Sequence, residues 1–477
     1  MRPTRTKIVA TVGPASGSPE LIRRLVDAGV DVFRLNFSHG DHASHAGHIQ
    51  AIRQAAADAE SPVGILQDLQ GPRIRTGALP GNQPVDLVAG AEVVLRAGDF
   101  KGDARTISVN YEHLAADIGP GDSILLSDGV IELSVIESDG RAVRCRVVVG
   151  GSLGSHQGIN LPGVKLSISA PTPKDIEDLR FGMEHEVDYV ALSFVQCADD
   201  VVRLKEQMTE WGGSDAAIPV IPKIEKPDAV ENLREILEVS DGVMVARGDL
   251  GIEMATEDVP AVQKKIIRMA NRLAIPAITA TQMLDSMIHS PRPTRAEASD
   301  VANAILDGTD AVMLSGETSM GRYPVETVRV MDRIARRAEQ LRCEEAGCRA
   351  PVPEVVGSTR QEALAGAACA IADELDAAGI VPFTLTGSTA RYISQRRPAA
   401  PIYALTPNEG TYRRLALLWG VRPIRLDVFE TTDEMIQRGQ KRLLELGLAE
   451  AGDTVIYVAG ASTGTPGGAD MLKIHEF

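Results

Sequence analysis

The stretch Asp241–Leu250, DGVMVARGDL, is a short apolar run that breaks into Arg247-Gly248-Asp249. An apolar run of this length between turn formers reads as a strand buried on both faces. Just upstream, Ile218–Glu225, IPVIPKIE, follows the same pattern and ends in Lys223-Ile224-Glu225. Six more runs fit: Lys7–Gly13, Val30–Ser38, Val63–Gln70, Val187–Val195, Ala277–Met283 and Asp310–Glu317. Amphipathic segments lie between most of them, such as Pro19–Ala28, Ala198–Glu210, Asp228–Glu238 and Val259–Leu273. Ser18-Pro19 and Thr294 signal helix starts, and Gly29 and Gly308 signal stops. Eight strands alternating with helices predict the α/β class and a closed parallel (β/α)8 TIM barrel.

Two segments break that rhythm. Residues 72–169 are strand-rich, with Gly, Pro and Asp punctuation. Ala91–Arg96, Ser123–Leu126, Ile131–Glu137 and Arg141–Val149 look antiparallel, so a small β-barrel lid domain is expected as an insert after the third strand. A connection of that length without structure of its own would be implausible. The barrel then takes 1–71 and 170–343. From 344 to 477, helix Gln361–Leu375 leads to Val381–Leu385, Ile402–Leu405, Val421–Leu426 and Thr454–Ala459, which reads as a separate α/β domain. The alternative, a continued barrel, fails because eight strands are already used.

Composition narrows the function. The 477 residues carry a formal net charge of −16, so no basic face for nucleic acid is indicated. No run is long and apolar enough for a membrane span or signal segment, and a cytoplasmic protein is expected. Cys145, Cys197, Cys343, Cys348 and Cys369 are odd in number and form no Cys-x-x-Cys pair, so they read as reduced thiols filling the structure.

Functional residues of such barrels gather where the strands end. Here the ends carry Arg34, Asn36, Ser38 and His39 (strand two), Asp68 (three), Lys223 and Glu225 (five), Arg247-Gly248-Asp249 (six), Thr281 (seven) and Ser315 (eight). Carboxylates beside cations suit a Mg²⁺-assisted reaction on a phosphate ester. Carboxylate oxygens hold a hard cation, and Arg and Lys neutralise phosphoryl oxygens. Each residue alone has a plainer reading: Asp249 as a turn cap, Glu225 paired with Lys226, Lys223 exposed. The joint placement favours the functional reading.

The motifs FRLNFSHG (Phe33–Gly40), GPRIRTG (Gly71–Gly77), VARGDLGIE (Val245–Glu253), TQMLDSM (Thr281–Met287), PRPTRAEASDVA (Pro291–Ala302) and MLSGET (Met313–Thr318) resemble those of the pyruvate kinases, in order and over nearly the whole chain. The resemblance implies transfer of the phosphoryl group of phosphoenolpyruvate to ADP, giving pyruvate and ATP in the last step of glycolysis. It implies that Lys223 stabilises the transferring group, Glu225 and Asp249 hold Mg²⁺, and Arg34 binds the phosphate. Gly248, Asp249 and Thr281 would receive the substrate carboxylate. Thr281 would help protonate the enolate, with Ser315 as a second relay member or merely bonded within its own loop. Asn36, His39 and Arg75 would face the nucleotide, and Asp128 and His156–Pro162 would sit near the cleft on a lid that excludes water. A homotetramer is the family expectation.

The sequence departs from the K⁺-requiring pattern. Asn36, Ser38 and Asp68 remain as oxygen donors of a residual K⁺ pocket, but Leu69 replaces a hydroxyl and Arg73 a glutamate. A fixed guanidinium would take the place of the ion and repel it, so K⁺ is expected not to be required; the alternative leaves Arg73 in solvent. Gln157 and Met320 stand where lysines are common, and Arg322 is a candidate compensating cation for ATP. In the last domain, Thr384, Thr386, Gly387, Ser388 and Thr389 form a loop that the family uses for phosphorylated effectors, a sugar phosphate or nucleoside monophosphate, with Gly460–Ala469 as a second loop over the ligand. A simple helix cap is the plainer reading of the first loop.

Overall fold

A computed structural model of the chain describes residues 4–167, 170–213, 217–346, 359–427, 429, 431–460 and 469–477. Strands Lys7–Thr11, Val32–Asn36, Gly64–Asp68, Tyr189–Leu192, Val220–Ile224, Val243–Ala246, Ala277–Ala280 and Ala311–Leu314 close into a barrel. Neighbours pair in parallel, and the last strand returns to the first. Val9, Val32, Leu66, Ile221, Met244 and Ile278 fill the interior, while larger aliphatic side chains pack outward against the helices. Burial on both faces explains why these strands read as continuous apolar runs.

The helix signals act as expected. Ser18 Oγ accepts from the N–H of Leu21, and Gly29 ends that helix at φ 106°. Thr294 and Glu297 form a reciprocal cap. The strands are shorter than the apolar runs. The run Asp241–Leu250 leaves the sheet at Ala246, and Arg247–Glu253 is a helix. The expected helix Asp228–Glu238 divides at Asn232 into Pro227–Glu231 and Leu233–Glu238, because Asn232 at ψ 14° departs from helical geometry.

The insert after the third strand has a six-stranded sheet. Its order is Ile159–Asn160, Ser123–Leu126, Ile131–Ser138, Ala142–Val149, Glu92–Ala97, Thr106–Val109. The four runs expected to be antiparallel pair so, and at one edge an unforeseen strand, Thr106–Val109, runs parallel to Glu92–Ala97. The intervening residues cross over instead of turning back as a hairpin. The segment entering the insert closes the sheet into a small barrel, since Arg75 bridges Gly158 at one edge and Thr76 bridges Val109 at the other.

The C-terminal α/β domain has the parallel strands Val421–Arg425, Ile402–Thr406, Gly379–Pro382 and Thr454–Ala459. A fifth, Met471–Glu476, adds antiparallel at the edge and was not foreseen, because its half-exposed residues make no apolar run. This domain seats on the base of the first barrel. Leu417 is fully buried in the barrel-interior cluster, Tyr189 Oη donates to Arg414 O at 2.7 Å, and buried Arg397 meets buried Asp310 at 3.0 Å. Among the described residues, no helix is long and apolar enough to cross a membrane. Cys145, Cys197 and Cys369 are free thiols, and burial pushes Cys145 and Cys369 up to about 12. The side chains of Cys343 and Cys348 lie outside the described residues.

Candidate active site

At the C-terminal mouth of the barrel a cavity of about 220 Å³ is lined by Arg34, Asn36, Ser38, Arg73, Lys223, Glu225, Asp249, Thr281 and Ser315. Six separate stretches of sequence therefore meet in one place, each delivered by the end of a strand or by the loop after it. Asp68 lies beneath them, 1% exposed.

Lys223 is the hub. Its Nζ lies 2.7 Å from Glu225 Oε1 and 3.6 Å from Asp68 Oδ1, and it donates to Ser193 Oγ at 2.8 Å. Burial alone would push the ammonium down, but Asp68, then Glu225 and Asp249, outweigh it and hold its pKa above the ordinary lysine value. Burial likewise pushes Asp68 up, and Lys223 and Arg34 outweigh it, so Asp68 stays ionised. Arg34 contributes through a 2.6 Å contact of Nε with Asp68 Oδ2, and its Nη1 donates to Thr11 Oγ1 at 3.2 Å.

Glu225 behaves differently. Burial pushes it up to about 7, Lys223 pulls it down, and the Asp249 charge pushes it up again. Lys223 is shared with Asp68, so it does not fully neutralise Glu225. Glu225 Oε2 also accepts the N–H of Phe194 at 2.7 Å, which orients the carboxylate. The cations Arg34, Arg73 and Lys223 share this mouth with the carboxylates Asp68, Glu225 and Asp249, and the charges of Glu225 and Asp249 oppose each other. A cation bound between those two carboxylates would relieve their repulsion. Among the described residues no group of three or more metal-ligating side chains stands together. Two carboxylates beside open cavity space suit a cation that completes its shell with substrate and water oxygens.

Thr281 sits at φ 67° and Gln282 at φ 53°. A β-branched residue at positive φ is strained, and such strain persists only where surroundings enforce it. Arg247 enforces it here. Its Nε and Nη2 donate to Ala280 O and Thr281 O, and its Nη1 lies 2.7 Å from Asp300 Oδ2. Thr281 Oγ1 accepts the N–H of Gly248 at 2.7 Å, which ties strand seven to the helix carrying Asp249. Ser315 Oγ is buried and has no hydrogen-bond partner among the described residues, so it is not bonded within its own loop.

His39 and Arg75 stand outside the cavity lining. Burial, then the charges of Arg75, Arg73 and Arg34, lower the His39 pKa, which keeps the ring neutral. Gln157 is turned back on its own loop, with Nε2 donating to Ser155 O at 3.3 Å, and Met320 is exposed. The sequence reading missed Ser193 and Thr11. Ser193 and Thr11 are polar residues at the ends of strands four and one, the two strand ends passed over above. Arg247 was seen, but its role in holding Thr281 needed the fold.

The Thr384–Thr389 loop lies in the C-terminal domain. Thr384 Oγ1 accepts the N–H of Gly387, and Gly387 at φ 91° opens helix Ser388–Gln395 without a side-chain cap. Residues 461–468, most of the second glycine-rich loop, lie outside the described residues.

The fold and this cavity define a (β/α)8-barrel enzyme with a charged phosphate-type site at its C-terminal mouth. Comparison with known proteins sharpens the class. The family description "Pyruvate kinase, barrel domain" matches residues 3–328, and "Pyruvate kinase, alpha/beta domain" matches 362–475. The chain is 49% identical to pyruvate kinase 2 of Synechocystis over 476 residues, covering 99% of this chain and 79% of that protein. It is 43% identical to the pyruvate kinase of Clostridium acetobutylicum, covering 99% of each. A crystal structure of a pyruvate kinase from Cryptosporidium parvum superposes with a TM-score of 0.90 at 37% identity, covering 99% of this chain and 96% of that one. The chain belongs to the pyruvate kinase family.

Proposed function

We propose that this enzyme uses Mg²⁺ to move the phosphoryl group of phosphoenolpyruvate onto ADP, needs no K⁺, and responds to a phosphorylated effector. The observation that carries the reading is the meeting of Lys223, Glu225, Asp249 and Arg34 around one cavity. Arg34 binds the substrate phosphate. The Lys223 ammonium, fixed between Asp68, Glu225 and Ser193, stabilises the phosphoryl group as it leaves the enol oxygen. Glu225 and Asp249 hold Mg²⁺, which when bound draws charge from the phosphoryl and enol oxygens. The N–H groups of Gly248 and Asp249 and the Thr281 hydroxyl receive the substrate carboxylate. Thr281, with the unpartnered Ser315 hydroxyl behind it, delivers the proton that turns enolate into pyruvate. Asn36, His39 and Arg75 face the nucleotide. The inserted domain, carrying Asp128 and residues 156–162, closes over the site and keeps water from the phosphoryl group.

Independence from K⁺ rests on the placing of Arg73 and Leu69. Arg73 lines the same cavity as Asn36 and Ser38, and Leu69 is buried in the apolar core. The guanidinium supplies the charge there. The Thr384–Thr389 loop, with its uncapped helix start, takes the phosphate of a sugar phosphate or nucleoside monophosphate.

Lys223→Gln should lower kcat by roughly 10²–10³ with a small change in KM for phosphoenolpyruvate, the mark of an interaction made in the transition state. An unchanged kcat would remove Lys223 from the reaction. Because a proton on Glu225 competes with the metal, Mg²⁺ affinity should weaken as pH falls through about 7, by up to about tenfold per unit, and level off above it. Calorimetric Mg²⁺ titration across pH measures this slope. Steady-state rates in buffer free of K⁺ and ammonium should match those with K⁺; collapse and rescue by K⁺ would overturn the Arg73 reading. Ser388→Asp should abolish activation by phosphorylated effectors in the same assay, and persistence of activation would move the site elsewhere.

A further inference from the structure

Beyond its two chain connections, the inserted domain is pinned to the barrel by a single polar side-chain contact. Asn160, on strand Ile159–Asn160, donates from Nδ2 to Glu253 Oε1 at 3.0 Å. Among the described residues no other side-chain hydrogen bond and no ion pair joins residues 72–169 to the barrel.

Glu253 is the last residue of helix Arg247–Glu253, whose first turn carries Asp249. The helix itself does not favour a carboxylate there, because its C-terminal end is the negative end of its dipole. Lys226 meets the charge instead, with Nζ 3.9 Å from Glu253 Oε2 and the two side chains only 5% and 4% exposed. Lys226 thus turns away from its neighbour Glu225, which Lys223 engages. A buried ion pair is tolerated where further hydrogen bonds satisfy its remaining lone pairs, and Asn160 supplies one from the insert. The node therefore has three arms. One leads to the segment carrying Glu225, one to the helix carrying Asp249, and one to the insert, a residue before its exit at Leu161.

We propose that Asn160 is a positioning residue: through Glu253 it latches the inserted domain to the two segments that bear Glu225 and Asp249, so that the seating of the lid and the spacing of those carboxylates are set together. The start of the Asp249 helix is fixed by the N–H of Gly248 on Thr281 Oγ1, and the Asn160 bond fixes its end. A helix held at both ends carries Asp249 in one place. With the latch made, the cation site is shaped in advance. With the cation bound, the latch is favoured in return, since coupling between two sites acts equally in both directions. This deepens the proposed function and rests on its assignment of Glu225 and Asp249 to Mg²⁺; the link from lid to metal through Asn160 is added.

The test compares the full-length unmodified enzyme with Asn160→Ala and Asn160→Gln, each with and without saturating Mg²⁺. Amide hydrogen exchange is followed by mass spectrometry at residues 158–164, none of which lines the catalytic cavity. Calorimetry measures Mg²⁺ affinity in the same proteins. In the unmodified enzyme Mg²⁺ should slow exchange of this tether about fivefold or more. In metal-free Asn160→Ala the tether should exchange about tenfold faster, as expected for loss of a hydrogen bond to a charged group. Mg²⁺ should no longer slow it, and Mg²⁺ affinity should fall about fivefold. Asn160→Gln keeps an amide donor and should recover part of each effect. Melting curves check folding; where Asn160→Ala is unfolded, Asn160→Ser, whose hydroxyl is too short to reach Glu253, replaces it. Equal slowing by Mg²⁺ in Asn160→Ala and the unmodified enzyme overturns the latch, and so does a faster tether with unchanged Mg²⁺ affinity. Mg²⁺ that binds the unmodified enzyme without slowing the tether also overturns it, and leaves the metal assignment standing. No Mg²⁺ binding to the unmodified enzyme overturns both.

Discussion

A buried ammonium organises the active mouth. Lys223 keeps its charge in the protein interior only because Asp68, Glu225 and Asp249 surround it. Desolvation of a lone ammonium would cost several kcal/mol and strip its proton. The same contacts set the states of its neighbours. Asp68 gains enough from Lys223 and Arg34 to remain ionised, whereas Glu225, buried, sharing Lys223 and facing Asp249, is pushed up to about 7. Glu225 and Asp249 therefore repel each other across the cavity, and a further positive charge between these two outer carboxylates would relieve that repulsion.

Geometry around this cluster comes from residues that do no chemistry. Arg247 holds Thr281 in a backbone conformation that its own side chain disfavours. Thr281 in turn holds the N–H of Gly248, so the positions of a hydroxyl, an N–H donor and the Asp249 carboxylate are set together. Ser193 does the same for Lys223, taking one of its three N–H bonds and leaving it aimed at the cavity. Strain at Thr281 is thus maintained by a cation on the next strand end, not by local sequence preference.

Much of this was legible in the sequence, for a physical reason. Strands covered on both faces must be apolar throughout, and polar residues at their ends must serve the rim, so Lys223, Glu225 and Asp249 stood out. Features that depend on pairing between distant segments did not. The parallel edge pair of the insert, the half-exposed edge strand Met471–Glu476 and the break at Asn232 leave no periodic trace. Ser193 escaped for another reason: a serine at the end of an apolar run is ordinary, and only its 2.8 Å contact with Lys223 marks it.

The segment around Arg75 and Thr76 stitches both edges of the inserted sheet while also leading the chain out of the barrel. Bending there would unpick hydrogen bonds at both seams at once, including Thr76 N–H to Gln157 O at 2.8 Å and Gly77 N–H to Ser108 O at 2.7 Å. Any swing of the inserted piece would therefore have to be taken up at its two tethers, at Gly71–Pro72 on the way in and after Leu161 on the way out. If the piece moves, it would do so like a door on two pins, whole and unbent, and a crack in its frame would be felt across the entire panel.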